Sequence, residues 1–374
     1  MIFSTTSMDT LRPCLCLFLM LLLGLHGVSQ PIRFEHITYE HILDRQPIVT
    51  IAQDMQGRLW FGGQQNLFVY DSYHIKNLLL NDSLFKRVSY VRKVAINSDN
   101  HLFITQLSGF EIYDINNHKF LKKRFPAPRT ALTVNTIRVL GDQVFICAED
   151  GLYFAFLNRD SYTIQLILPR KRVQYIERVS ADRLAVASDS GIELLTFTDG
   201  TATNIQDLHI PISTEDGRFF PCLYFDEGAL WVATRYNGLL RYEILQRRWS
   251  SFNEQNSSLL SNNVRKIVRA PTGRLLVGTL RGLSIWQGDG KFSNYKHVPG
   301  DRQSLSQNSV YDIQVGKNNI VWVGTYFGGL NAIYPHLIKF DLYSTMSPIG
   351  EGLNSDIIGS FAESNDFYWI GTEE

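Results

Sequence analysis

The sequence predicts an all-β fold: a seven-bladed β-propeller of four-stranded blades, plus the truncated start of a second propeller. Three observations carry this. A short unit recurs along the chain, its copies fall 40 to 47 residues apart, and apolar residues inside each copy alternate with a period of two. A period of that length marks a solenoid or a propeller, and a period of two marks strands. The composition agrees. Aromatic residues make up 12%, charged residues only 19%, and there are 27 glycines, a profile of strands joined by glycine turns that excludes disorder and coiled coil.

The clearest copies are Ile51–Gly63 (IAQDMQGRLWFGG), Ile267–Thr279 (IVRAPTGRLLVGT), Ile313–Thr325 (IQVGKNNIVWVGT) and Ala362–Thr372 (AESNDFYWIGT). Weaker ones are Val94–Thr105, Ile137–Ala148, Val179–Ser188 and Leu223–Thr234. Each copy opens with strand A, which carries an apolar pair such as Val264 and Ile267. A polar turn follows, such as Asp54–Gly57, and leads to strand B of the Leu-Trp-Phe-Gly type. Strand C begins with Gly or Asn, as in Asn66–Tyr70 or Gly329–Ile333. Strand D has a cation, an aromatic, two spacers and an apolar or aromatic residue, as in Arg248–Phe252, Lys291–Tyr295 and Lys339–Tyr343. Four strands per period make one blade.

Strand D occurs once too often. Arg33–Ile37 fits its pattern with no A, B or C strand before it. A ring must hide both sheet edges, so this segment is expected to pair with strand C of the seventh repeat, near Leu330–Ile333. That closes seven blades over residues 30–338. Lys339–Tyr343 is then displaced, and residues 339–374 read as the incomplete first blade of a second ring, with 345–374 poorly packed. The chain reads as the front of something longer.

Residues 1–29 read as a signal peptide. Arg12 precedes the apolar run Cys14–Leu25, which is shorter than the roughly 20 residues of a membrane span, and Gly27 and Ser29 put small side chains at −3 and −1 of a cut before Gln30. Cleavage leaves Cys147 and Cys222, which fall in apolar strand patterns and are expected to be buried free thiols.

Positive charge (36 Lys and Arg) balances negative (36 Asp and Glu), which argues against a nucleic-acid-binding body. The nine His show no H-E-x-x-H, and there is no G-x-S-x-G, Walker loop or G-x-G-x-x-G after a strand. Asp54 and Gly57 stand three apart, so the Asp box of sialidases fails, and no Trp-Asp dipeptide occurs. No catalytic residue, metal or cofactor is expected. A ligand site follows from geometry alone. The B–C and D–A loops emerge on one face, where the tips Arg235-Tyr236-Asn237, Leu280-Arg281 and Tyr326-Phe327 stand out. Arg235, Tyr236, Arg281, Tyr326 and Phe327 are the candidate ligand-binding residues, since aromatic faces and Arg forks suit sugar rings and acidic sugar groups. The plainer reading makes them ordinary turns or contacts to a second ring. The basic runs Lys122-Lys123-Arg124 and Arg170-Lys171-Arg172 read as solvated faces, with an acidic-glycan contact as the alternative.

These repeats resemble the two-component regulator propeller repeat, approximately V-x-x-I-x-x-D-x-x-G-x-L-W-I-G-T-x-x-G-L-x-x-Y-D. The best matches are Ile51–Asp71, Val264–Trp286 and Val310–Ile333, with Ile357–Thr372 a shortened one. Repeats three to five depart most, with shorter A–B turns. The resemblance implies the periplasmic sensing part of a hybrid sensor histidine kinase that detects glycan fragments. Its partners would be an oligosaccharide or other small ligand, the remaining propeller and kinase modules of the parent chain, and a second copy in a homodimer. The parent would be anchored in the inner membrane. The segment itself is then not an enzyme, and ligand binding would shift the relation between rings or protomers. The alternatives are a stand-alone periplasmic binding or scaffold module, and a propeller glycosidase or lyase.

Overall fold

The computed structural model describes residues 32–37, 43, 46–125, 132–170, 172–212, 218–335, 343, 345, 352–364 and 367–373. The expected leader and, apart from Tyr343, the strand expected over Lys339–Tyr343 lie outside them. From Phe34 onward the chain is almost entirely sheet. Seven antiparallel blades are built in chain order: strands 50–77, 93–120, 134–169, 175–207, 222–252, 264–295 and 310–333. The innermost strand of each blade lies beside that of the next, and the seventh returns to the first, so the blades form a ring. Glu35–Ile37 supplies the outer strand of the seventh blade, with Glu35 opposite Ala332 and Ile37 opposite Leu330.

Local chemistry explains the repeat. In the A–B turn of blade 1 the buried Asp54 carboxylate accepts from the Arg58 backbone N–H (2.8 Å), from Arg58 Nε (2.7 Å) and from the Trp60 indole N–H (2.9 Å). Asn97 in blade 2 plays the same part, its Oδ1 accepting from the His101 N–H at 2.9 Å. The Asp of the repeat is therefore a turn clamp that also satisfies the strand B tryptophan. Asp54→Ala should lower stability by about 2–3 kcal/mol, because it orphans a buried indole donor as well as the turn; denaturant unfolding with an unchanged m-value would check this.

The glycine near the end of strand B has a different cause. A Cβ on Gly278 would stand 2.8 Å from Val310 Cγ1, and one on Gly324 would stand 2.7 Å from Ile48 Cγ2. These glycines let the innermost strand of the following blade close in. The threonine after strand B fixes the B–C tip. Thr234, Thr279 and Thr325 each donate to the carbonyl of the glycine at the start of strand C, Gly238, Gly282 and Gly329, at 2.8–3.1 Å.

Aromatic side chains fill the space between blades, with Trp60 against Tyr113, Trp231 against Trp286 and Tyr70 against Trp322. Cys147 and Cys222 are buried and free. Two features go beyond the sequence reading. A short helix, Leu78–Asn81, and a 3-10 turn, Ser83–Arg87, join blades 1 and 2 and bury Phe85 against Tyr113 and Phe120. Blade 3 has a fifth strand, because Lys122–Arg124 pairs in parallel with Ser161–Pro169. Its middle residue Lys123 turns inward to Glu111 (3.2 Å) and over the Phe110 ring, so only Lys122 and Arg124 of that run are exposed. Finally, Ile358–Glu363 and Tyr368–Thr372 form a separate two-stranded sheet with Phe361, Tyr368 and Trp369 exposed.

Candidate functional site

Seven innermost strands around one axis leave a channel, and its mouth lies on the face of the B–C and D–A loops. One residue per blade guards it: Val49, Arg92, Asn135, Gln174, Pro221, Arg265 and Tyr311. Each stands two residues before a buried apolar residue of strand A, namely Ile51, Val94, Ile137, Ile176, Leu223, Ile267 and Ile313. In three blades the pairing register skips at this point, between Val134 and Thr136, Val264 and Lys266, and Val310 and Asp312. Asn135, Arg265 and Tyr311 are thus the extra residues of β-bulges. A bulge re-aims a side chain that regular alternation would place elsewhere.

Several of these side chains tie blade to blade. Arg92 donates to Val134 O (3.2 Å), Asn135 Nδ2 to Val173 O (2.9 Å), Gln174 Nε2 to Arg218 O (2.6 Å) and Arg265 to Ser309 Oγ (2.7 Å). Lys93 Nζ donates to Val49 O at 2.9 Å. The mouth is held in shape by its own lining.

The mouth cavity measures about 640 Å³. One wall is aromatic: Tyr311 stacks on Tyr326 with centroids 5.2 Å apart, and the Arg265 guanidinium lies 3.8 Å from the Tyr311 ring centre. Gln64 holds the Tyr326 hydroxyl from blade 1 at 3.2 Å. On the adjacent tip of blade 5 Arg235 lies against Phe219 and Tyr236. A second cavity of about 300 Å³ continues down the channel. Two of its cations are paired, Lys266 with Asp312 at 2.8 Å and Arg138 with Glu177 at 2.7 Å. Burial opposes the charged form of Asp312, but Lys266 and Lys93 outweigh it and hold the carboxyl below its ordinary value. Burial likewise pushes the Lys93 amine down, against the pull of Asp312.

Of the five residues singled out in the sequence, Arg235 and Tyr326 line the mouth. Tyr236, 54% exposed, stands outside the lining against Arg235, and Phe327 packs on the outer side of Tyr326 with centroids 4.2 Å apart. Arg281 pairs with Glu254 at 2.8 Å, away from the cavity. Sequence reasoning missed Arg92, Asn135, Gln174, Arg265 and Tyr311. The signal was present at the position two before each strand A anchor, where every blade places its channel residue. Among the described residues no three His, Cys, Asp or Glu side chains stand together as a metal site. No helix among them is long and apolar enough to cross a membrane.

Comparison with known proteins fits this architecture. The family model described as "Two component regulator propeller" matches residues 42–65 and 304–327. Among solved structures, the extracellular domain of the hybrid two-component system BT3049 from B. thetaiotaomicron superposes with a TM-score of 0.67 at 20% identity, over 91% of this chain and 47% of that one. That of BT4673 from the same organism gives 0.66 at 20% identity, over 91% and 44%. The chain therefore spans about half the length of these domains. Virginiamycin B lyase from Staphylococcus aureus, in a catalytically inactive form, shares the fold at TM-score 0.61 and 10% identity, over 82% of this chain and all of that one. No curated protein sequence matches the chain.

Proposed function

We propose that this chain, a propeller built from two-component regulator repeats, is the ligand-sensing part of a hybrid two-component sensor that detects glycan fragments outside the cytoplasm. The observation that carries the reading is the channel mouth, a preformed cavity with a stacked tyrosine wall and arginine forks. Aromatic side chains pack against the apolar surfaces of sugar rings, and fixed polar groups around them set orientation. The resemblance to extracellular domains of two-component systems supports a sensory over a catalytic role. In this reading ligand binding changes how the ring meets its neighbours, a further ring or a second copy, and the shift passes to a kinase elsewhere in the parent protein. The exposed hairpin Ile358–Thr372 repeats the A–B strand pair of a blade and suits the start of that further ring.

The test is a pair of substitutions in the full chain. Tyr326→Ala removes one face of the aromatic wall and should weaken binding of a glycan fragment about tenfold or more. Tyr236→Ala, outside the lining, should change it less than about threefold and leave the melting temperature within a degree or two, whereas Tyr326→Ala, which also loses the Tyr311 stack and the Gln64 hydrogen bond, should lower it by a few degrees and stay folded. Equal affinity for the wild type and Tyr326→Ala would remove the mouth as the sensing site. In the host, loss of glycan-induced transcription in the Tyr326→Ala strain, with the protein still exported, would tie the site to signalling.

A further inference from the structure

The mouth of the channel differs from the rest of the protein in charge. Five cations line it, Arg92, Lys93, Arg172, Arg235 and Arg265, and no Asp or Glu does. The nearest carboxylates are engaged. Glu149 pairs with Arg172 at 3.6 Å on the outer rim, Asp189 accepts from Gln174 at 2.9 Å, and Asp312 lies below, bound to Lys266. Among the described residues Arg92, Lys93, Arg235 and Arg265 make no ion pair with a carboxylate.

Several partly buried cations elsewhere in the ring are neutralised: Arg58, Arg138, Arg170 and Lys266 each have a carboxylate within 3.0 Å, while Arg178 and Arg218 are held by uncharged oxygens. A chain with equal numbers of positive and negative residues has enough acids to neutralise the mouth, yet places none there. Burial lowers the proton affinity of Arg265, and the neighbouring Arg235 charge works in the same direction. Crowding like charges in a partly desolvated cavity costs stability, and an anion entering it removes that cost.

Resting on the reading of this ring as a glycan sensor, we infer that the mouth selects an acidic saccharide, with a carboxylate or sulfate group held by Arg265 and Arg235 and the sugar ring packed against the edges of the Tyr311–Tyr326 stack. Arg265 is preorganised for this. Its Nε donates to Asn263 and one terminal nitrogen to Ser309, its plane rests on Tyr311, and the bulge aims it inward. Arg235 is exposed on the adjacent tip of blade 5, where Val264 N–H donates to Thr234 O at 2.9 Å, and its backbone N–H is fixed to Phe219 O at 3.2 Å. Arg265 keeps Nη2 for an anion oxygen, and Arg235, whose guanidinium makes no hydrogen bond among the described residues, offers the planar fork that matches carboxylate and sulfate oxygens in pairs.

The test is calorimetric titration of the purified chain with trigalacturonate, with lactose 3′-sulfate and with neutral lactose. At least one charged sugar should bind in preference to lactose, and which one it is separates carboxylate from sulfate recognition. Its affinity should fall about tenfold or more in Arg265→Gln and in Arg235→Gln, and several-fold when salt is raised from about 50 to about 300 mM. Arg235→Gln breaks no hydrogen bond of the fold, so it keeps the test intact if Arg265→Gln folds poorly. No preference of either charged sugar over lactose, or unchanged affinity in Arg235→Gln, overturns the inference. Tight binding of a neutral fragment would overturn it while leaving glycan sensing standing. Inorganic sulfate seated at these arginines with no saccharide of either kind bound would keep the anion site and remove the glycan reading.

Discussion

Replacing Asp312 by Ala is expected to lower the unfolding free energy by about 3–5 kcal/mol. Asp312 is 3% exposed and stands in the channel below the mouth. Its carboxylate is bound by Lys266 at 2.8 Å and accepts the backbone N–H groups of Ile51 (2.9 Å) and Ile313 (3.0 Å). Ile51 belongs to the first blade and Asp312 to the seventh, so one side chain joins the two ends of the ring while neutralising Lys266. Truncation would strand a buried ammonium and two buried backbone donors together. Asp312→Leu combined with Lys266→Met should recover part of the loss, since both charges of the pair are then gone. The pH dependence has a definite sign. The folded carboxyl is held below the ordinary value of 3.8, so its contribution is complete above that pH and is lost as pH falls through the lower, folded value. Acid titration of the wild type and the double variant, followed by circular dichroism, would show the difference below about pH 4. Coincident acid transitions would remove the pair as the cause.

Deleting Phe34–Ile37 is expected to abolish cooperative unfolding of the ring. These residues cover the edge of Gly329–Ile333, and without them the seventh blade presents a row of unpaired backbone groups, a template for aggregation. The strand is anchored beyond its ladder. Phe34 is 2% exposed, meets Tyr295 edge-on at 6.0 Å and donates its N–H to Gln303 O at 2.9 Å, and the His36 ring reaches Ser304 O at 2.7 Å. Phe34→Ala alone should cost about 3–5 kcal/mol, read as a lower denaturant midpoint. A deleted chain that stays monomeric with an unchanged midpoint would show that the ring holds together without this strand.

The blades were legible in the sequence because strand alternation, glycine-dependent close approach and turn chemistry all act over a few residues. Asp54, Gly278 and Thr325 each have a local reason to be where they are. The loop tips were legible for the same reason, which is how Arg235 and Tyr326 came to be chosen. Which tips turn inward was not legible. Arg281 is drawn off by Glu254, 27 residues earlier in the chain, and nothing at position 281 announces that partner. The channel lining escaped for another reason. Arg265 and Tyr311 lie inside strands, where a simple alternation gives them no special status, and only the bulged register turns them toward the axis. The fifth strand of blade 3 depends on a parallel pairing between segments about 40 residues apart, again beyond any local pattern.

In the proposed function the ring binds a glycan fragment at the channel mouth and leaves it intact. Equilibrium dialysis of the purified chain against a digest of mixed polysaccharides, with mass spectrometry of both compartments, tests it most directly. One class of fragment is expected to be enriched on the protein side at unchanged mass, with the enrichment lost in Tyr326→Ala. Fragments emerging cleaved, or no class enriched, would contradict it.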